Sequence, residues 1–316
     1  MARAHVNGIE LEYETFGDPA ATPLLLVMGL SYQMIEWDDD LCALIGDRGF
    51  WVTRFDNRDV GLSTKLDALG TPDLMAMLAG TAAPPYSLDD MADEAVGVLD
   101  ALDVGAAHVV GVSMGGMIAQ LIAINHPGRV LSLTSIMSTV GGPNVVQAEP
   151  AVGAALLAPP GRTRKERVEH SLANRRLIFG TGMPFDEDWA RRKAERAVDR
   201  CFYPDGALRQ IAAIFAAPDR TAALGELTMP TLVIHGENDP LVPPANGRQT
   251  EAALPGARLI MVRGMGHALP EQVWRQLVDA ITAVAAGFGI AGDSDNPAAQ
   301  RSETTRFSGV EARRRP

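Results

Sequence analysis

Residues 106–125 constrain this chain more than any other stretch. An apolar run, Ala106 to Val110, leads straight into Gly111-Val112-Ser113-Met114-Gly115-Gly116, and the helix-like segment Met117 to Asn125 follows at once. A strand, a G-x-S-x-G turn and a helix in immediate succession describe a nucleophile elbow, in which the serine stands on a sharp, strained strand-to-helix turn. Side chains at Gly111 and Gly115 would collide where the chain doubles back on itself. The turn lifts the Ser113 hydroxyl out of the sheet and sets it beside a helix N-terminus, where negative charge is favoured.

The chain around this unit alternates strand and helix signals. Ile9 to Phe16, Pro23 to Met28, Phe50 to Phe55, Val109 to Val112 and Val130 to Met137 read as strands. Asp38 to Arg48 and Leu88 to Leu102 read as helices, the second with Ser87 as its N-cap. Unbroken apolar strands between helices imply an α/β fold with a mostly parallel sheet covered on both faces. Residues 140–225 hold no clear strand. They read as helices over Arg164 to Phe179, Glu187 to Phe202 and Ala207 to Phe215, broken by Pro159-Pro160-Gly161, Gly180-Thr181-Gly182 and Pro204. The strand–helix rhythm resumes with Thr231 to His235, a helix near Ala245 to Ala253, the strand Arg258 to Val262 and a helix from Pro270 to Ala286.

The expected organisation is an α/β core over 1–139 and 226–286, with a helical cap insertion at 140–225. An insertion above the carboxyl ends of strands lies where α/β proteins bind ligands. Residues 287–316 are rich in Gly, Asp, Asn, Ser, Thr and Arg and read as a disordered or loosely attached tail.

Composition excludes some partners. A chain of 316 residues supports one substantial core. With a net charge of −11 and no basic stripe to neutralise phosphates, nucleic acid is not expected as a partner. No apolar h-region precedes Ile9, and the most apolar windows are interrupted by Ser113, Gln120 and Asp279. A cytoplasmic protein without a membrane span is the expectation. Cys42 and Cys201 lack any metal-ligand spacing and read as free thiols.

A serine is inert near neutral pH unless a base takes its proton, and the base needs an orienting acid. In elbow enzymes of this kind the partners follow the serine in the order Asp or Glu, then His. Of six histidines, His5 and His126 sit at a terminus and a helix end, His108 inside the strand before the elbow, His170 in the insertion, and His235 at a strand end. Only His267 follows the last strand, in Gly264-Met265-Gly266-His267, where glycines let a loop carry the imidazole over the sheet. The acid is expected in Gly236-Glu237-Asn238-Asp239-Pro240. Asp239 is preferred there over Glu237 at the strand mouth and over Asp219, which lies before the strand.

The oxyanion requires two backbone N–H donors in a water-poor pocket. The residue after the nucleophile, Met114, supplies one. The other is expected from the turn Val27-Met28-Gly29-Leu30, with Leu30 as donor. The polar cluster Phe55-Asp56-Asn57-Arg58-Asp59-Val60-Gly61-Leu62-Ser63 ends a strand, and Arg58 with the two aspartates is read as bracing that turn. Met28, Met34, Met137 and Met265 fall near the same face, with Met114 and Met117, and are candidates for an adaptable apolar substrate pocket.

At these residues the chain resembles the α/β-hydrolase superfamily over roughly residues 5–285. The segments V-M-G at 27–29, F-D-N-R-D-x-G-x-S at 55–63, H-V-V-G-V-S-M-G-G at 108–116 and P-T-L-V-I-H-G-E-N-D-P at 230–240 are similar to the aclacinomycin methylesterase-like branch, shared by actinobacterial esterases and lipases. The His-Gly usual in the oxyanion turn is here Met28-Gly29, a tolerable change because the backbone amide does the chemistry. The resemblance implies an α/β-hydrolase fold with an eight-stranded, mostly parallel sheet and a helical cap. It also implies a serine hydrolase needing no cofactor or metal, acting on a small-molecule ester.

The expected activity is carboxylic-ester hydrolysis through an acyl-enzyme on a small to medium apolar ester. Lipase, phospholipase or thioesterase activity, or perhydrolase, haloperoxidase or carbon–carbon bond hydrolysis, is the alternative on the same three residues. Epoxide hydrolases and haloalkane dehalogenases carry an aspartate where this chain has Ser113. A non-catalytic binding protein on the same fold is a third reading, disfavoured because all three residues are present.

Overall fold

A computed structural model describes residues 2–287 apart from residue 80; the tail expected at 287–316 lies, from 288 on, outside the described residues. The strands are β1 (Ala2–Val6), β2 (Ile9–Phe16), β3 (Thr22–Val27), β4 (Phe50–Phe55), β5 (Ala107–Val112), β6 (Val130–Ile136), β7 (Thr231–Gly236) and β8 (Arg258–Val262). The helices before β7 are α1 (Asp39–Gly46), α2 (Leu74–Leu78), α3 (Leu88–Ala101), α4 (Met114–Asn125), α5 (Pro150–Leu156), α6 (Arg164–Phe179), α7 (Glu187–Arg200), α8 (Pro204–Ala216) and α9 (Thr221–Leu224). After it come α10 (Pro244–Ala253) and α11 (Glu271–Ala285).

Among the described residues the strands form one eight-stranded sheet in the order β1-β2-β4-β3-β5-β6-β7-β8. Only β2 runs against its neighbours; every pairing from β4 across to β8 is parallel. β5 and β7 are buried along their whole length, as strands covered on both faces must be. Alternate residues of one strand serve opposite layers. Leu25 and Val27 pack with Val109, Ala95 and Ile118 beneath α3 and α4, whereas Leu24 and Leu26 pack with Val110, Ile45 and Leu277 beneath α1 and α11.

Local chemistry fixes the helix starts. Ser87 caps α3 by accepting from the Asp90 amide, while the Asp90 carboxylate accepts from the Ser87 amide at 2.7 Å. Thr163 and Glu166 form the same box at the start of α6. Two features escape periodicity. β1 is a five-residue edge strand with only Ala4 and Val6 buried, and α2 is a five-residue helix held by the Asp73 side chain.

The strand order reverses direction at β3 and β5. β3 is followed in the chain by β4 on one side of it, and β5 begins the run to β8 on the other side. Open α/β sheets bind ligands in the crevice at the carboxyl ends of strands on either side of such a point. Here the loops concerned are 28–33 and Ser113, and Val27 lies opposite Gly111 in register.

Candidate active site

Ser113 joins β5 to α4 with φ 57° and ψ −121°, a strained conformation for a residue with a side chain. The surroundings hold it there: the Ser113 amide donates to Ile136 O at 2.9 Å, and the Ser138 hydroxyl donates to Ser113 O at 2.7 Å. A methyl group on Gly111 would lie 2.0 Å from Gly115 O, and one on Gly115 would lie 2.1 Å from Val27 O. The elbow therefore closes only with glycine at both positions. From Ala107 to Ala123 every residue is buried except Ser113, so the fold presents this serine and hides its neighbours.

The turn after β3 comes up against it. A Cβ placed on Gly29 would stand 3.1 Å from Ser113 Cβ and 3.6 Å from its Oγ. Gly29 O accepts from the Tyr32 amide at 3.3 Å, and Ser31 takes a positive φ of 59°. Met114 is the first residue of α4, so its N–H has no acceptor within the helix.

His267 and Asp239 meet two strands away. The imidazole Nδ1–H donates to Asp239 Oδ2 at 2.7 Å, and Asp239 Oδ1 accepts from the Leu241 and Val242 amides at 2.9 and 2.8 Å. The carboxylate is fully buried and the imidazole nearly so, at 7% exposure. The His267 backbone is tied to α6, its amide donating to Ile178 O at 2.7 Å. A hydrogen bond from the Ser113 hydroxyl to His267 is not among the contacts of the described residues.

The other histidines are occupied elsewhere. His108 bonds Ser132 and packs edge-on against Phe50, His126 pairs with Asp93, and His170 bonds Asn174. His235 is the one that sequence reasoning undervalued. It is completely buried, its Nε2–H donates to Val242 O at 2.7 Å, and Nε2 lies 3.6 Å from Asp239 Oδ2. Burial lowers its pKa, so it braces the Asp239 loop as a neutral ring. Glu237 and Asp219 are both exposed.

The 55–63 cluster braces the turn after β3, with a different division of labour from that expected. Asn57 makes the direct contact, its Nδ2 donating to Met28 O at 2.9 Å, and Asp56 accepts from the Met34 amide at 2.7 Å. Arg58 instead pairs with buried Glu94 and stacks on Tyr86. Asp59 receives both Nε and Nη2 of Arg209 from α8, at 2.8 and 2.9 Å. Met28, Met34, Met137 and Met265 are each at most 2% exposed; Met28, Met137 and Met265 pack in the apolar cluster with Ile136, Ile234 and Trp274.

No group of His, Cys, Asp and Glu side chains among the described residues is arranged to hold a metal ion. No helix among them is long and apolar enough to cross a membrane.

Known proteins match both sequence and fold. The α/β-hydrolase fold family matches residues 22–272. The rhodomycin D methylesterase DauP of a Streptomyces species is 34% identical over 296 residues, covering 87% of this chain and 94% of that protein. DnrP of Streptomyces peucetius, also a rhodomycin D methylesterase, is 33% identical over the same shares. Among solved structures, an esterase from Exiguobacterium antarcticum superposes with a TM-score of 0.71 at 18% identity, covering 90% of this chain and 99% of that one. With an elbow serine on β5 and nearly full-length relatives of this kind, the chain belongs to the α/β-hydrolase fold family, within its methylesterase-like branch.

Proposed function

We propose that this ester-hydrolysing enzyme works through Ser113, His267 and Asp239 by way of an acyl-enzyme, on a small to medium apolar carboxylic ester. The observation that carries the reading is the 2.7 Å bond between buried Asp239 and His267, in loops at the same sheet edge as the elbow serine. Asp239 keeps the ring proton on Nδ1 and leaves Nε2 free to accept one. Ser113 Oγ attacks the acyl carbon as its proton passes to Nε2. The carbonyl oxygen becomes an oxyanion, held by the Leu30 and Met114 amides. When the tetrahedral adduct collapses, the alcohol leaves with the proton from His267. Water then attacks the acyl-serine, His267 takes its proton, and the acid departs as Ser113 is restored. Relatives that are methylesterases make a methyl ester the first substrate to try.

The test is a panel of methyl and longer alkyl esters, assayed with wild type and Ser113→Ala, together with a fluorophosphonate label. Wild type should hydrolyse part of the panel and take one label on Ser113. Ser113→Ala should take none and lose about 10⁴-fold or more in kcat. Equal activity of the two proteins, or a label on another residue, would sink the proposal.

A further inference from the structure

The oxyanion turn is held from outside by two buried amide side chains, one of which belongs to a helix of the 140–225 segment. Gln210 lies on α8 and is completely buried. Its Oε1 accepts the Ser31 amide at 2.8 Å, and its Nε2 donates to Arg58 O at 2.9 Å. Asn57, the neighbour of Arg58, donates to Met28 O at 2.9 Å. The strip 57–58 therefore grips both ends of the turn, through Asn57 at Met28 and through Gln210 at Ser31.

The bonds fix three consecutive peptide units. Asn57 fixes the one between Met28 and Gly29 by its carbonyl. The Tyr32 amide fixes the one between Gly29 and Leu30 by the Gly29 carbonyl, which aims the Leu30 N–H the opposite way. Gln210 fixes the one between Leu30 and Ser31 by its N–H. This third unit is the strained one, since Ser31 sits at φ 59° without being glycine. Such a conformation persists only where its surroundings over-determine it. Gln210 is completely buried, and both ends of its amide are engaged in holding this unit to the 57–58 strip.

From this geometry we infer that Gln210, with Asn57, is a positioning residue for the oxyanion turn, and that α8 sets catalytic power through it rather than through contact with substrate. The inference rests on the assignment of Ser113 as nucleophile and Leu30 as oxyanion donor. An amide held only loosely at an oxyanion loses much of its effect, because stabilisation depends on donors already in place when charge develops.

Gln210→Leu and Asn57→Ala are assayed for ester hydrolysis and for inhibition by a trifluoromethyl ketone, which adds to the serine and places its own oxyanion against the same amides. Each variant should lower kcat by about ten- to a hundredfold, with KM within about twofold of wild type. Inhibitor affinity should fall by the same factor as kcat/KM. A merely structural role would lower the melting temperature without this parallel. If Gln210→Leu does not fold, Gln210→Met, of nearly equal length, replaces it.

Folded variants with wild-type kcat overturn the inference. So does a loss confined to KM, or a kcat loss that the inhibitor does not follow. Ser113→Ala separates the two possible failures. Full hydrolysis by Ser113→Ala removes the nucleophile assignment and this inference with it. An inactive Ser113→Ala beside a fully active Gln210→Leu removes this inference alone.

Discussion

At the scale of single residues, the site depends on how closely backbone can approach backbone. Gly115 separates the first turn of α4 from the end of β3 by less than a methyl group, since a Cβ there would fall 2.1 Å from Val27 O. Neither partner is a flexible side-chain end, so relief requires moving the strand or the helix. Gly115→Ala should cost about 3 kcal/mol or more and lower the melting temperature by roughly 5–10 °C. Differential scanning calorimetry reads this directly; an unchanged melting temperature would mean that the elbow is looser than these distances require. Gly29 differs in kind. A Cβ there would stand 3.1 Å from Ser113 Cβ and Val112 O, a crowding that a small shift of the turn relieves. Gly115 was legible in the sequence because G-x-S-x-G describes one local path of the chain, and Gly29 because a tight turn was expected at Val27-Met28-Gly29-Leu30. Gln210 was not, because its partners Ser31 and Arg58 lie 179 and 152 positions away.

At the scale of elements, the helices between β6 and β7 are fastened to the loops at the sheet's carboxyl edge by buried ion pairs. Glu36, after β3, receives Arg175 of α6 at 2.9 Å and lies 3.4 Å from Lys193 of α7. Arg200 at the end of α7 pairs with Asp56 at 2.7 Å. Burial by itself would raise the Glu36 carboxyl, but Arg175 and Lys193 outweigh it and hold the pKa at about 2. An unfolded glutamate titrates near about 4.3.

Because the folded value is the lower one, this group's contribution is complete above about pH 4.3 and is lost as pH falls toward about 2. Glu36→Gln should therefore be less stable than wild type at neutral pH, by about 3 kcal/mol, since it leaves buried cations short of their partner. The gap should close between about pH 4.3 and 2. Thermal melts of both proteins across this window check it; a gap that stays constant to pH 2 would show that Glu36 is not ionised in the fold. The helices themselves were visible in the sequence through their breaks and caps. Their attachment was not, because arginines on an amphipathic helix read equally well as a solvated face.

At the scale of the whole molecule, two apolar layers enclose one sheet, and a probe buried in either layer reports on the opening of the whole. Cys42 is such a probe. It is completely buried among Trp37, Leu41 and Ile45, and burial pushes its thiol up to about 12. A thiol without thiolate and without access does not alkylate. In native protein at about pH 8, iodoacetamide should modify the half-buried Cys201 well before Cys42. Cys42 should react only as denaturant carries the chain through its unfolding transition. Peptide-level mass spectrometry follows both sites, and comparable native rates at the two would contradict a single enclosed core. Topology at this scale was half legible. The parallel sheet follows from unbroken apolar runs such as Leu24 to Val27, whereas β1 has only two buried residues and carries almost no signal.

The sequence by itself determined the elbow, the order of the candidate residues Ser113, Asp239 and His267, and the loops that hold them. Each of these is written in local chemistry: glycines where the path is too tight for a side chain, a serine between strand and helix, and a histidine and an aspartate in loops that follow strands. Tertiary structure alone decided what steadies them. It set Asn57 rather than Arg58 on the turn after β3, brought Gln210 to Ser31 across 179 positions, and joined Arg175 to Glu36 across 139. Such pairings depend on which buried donors and acceptors the packing leaves facing one another, and no periodicity or spacing along the chain encodes that.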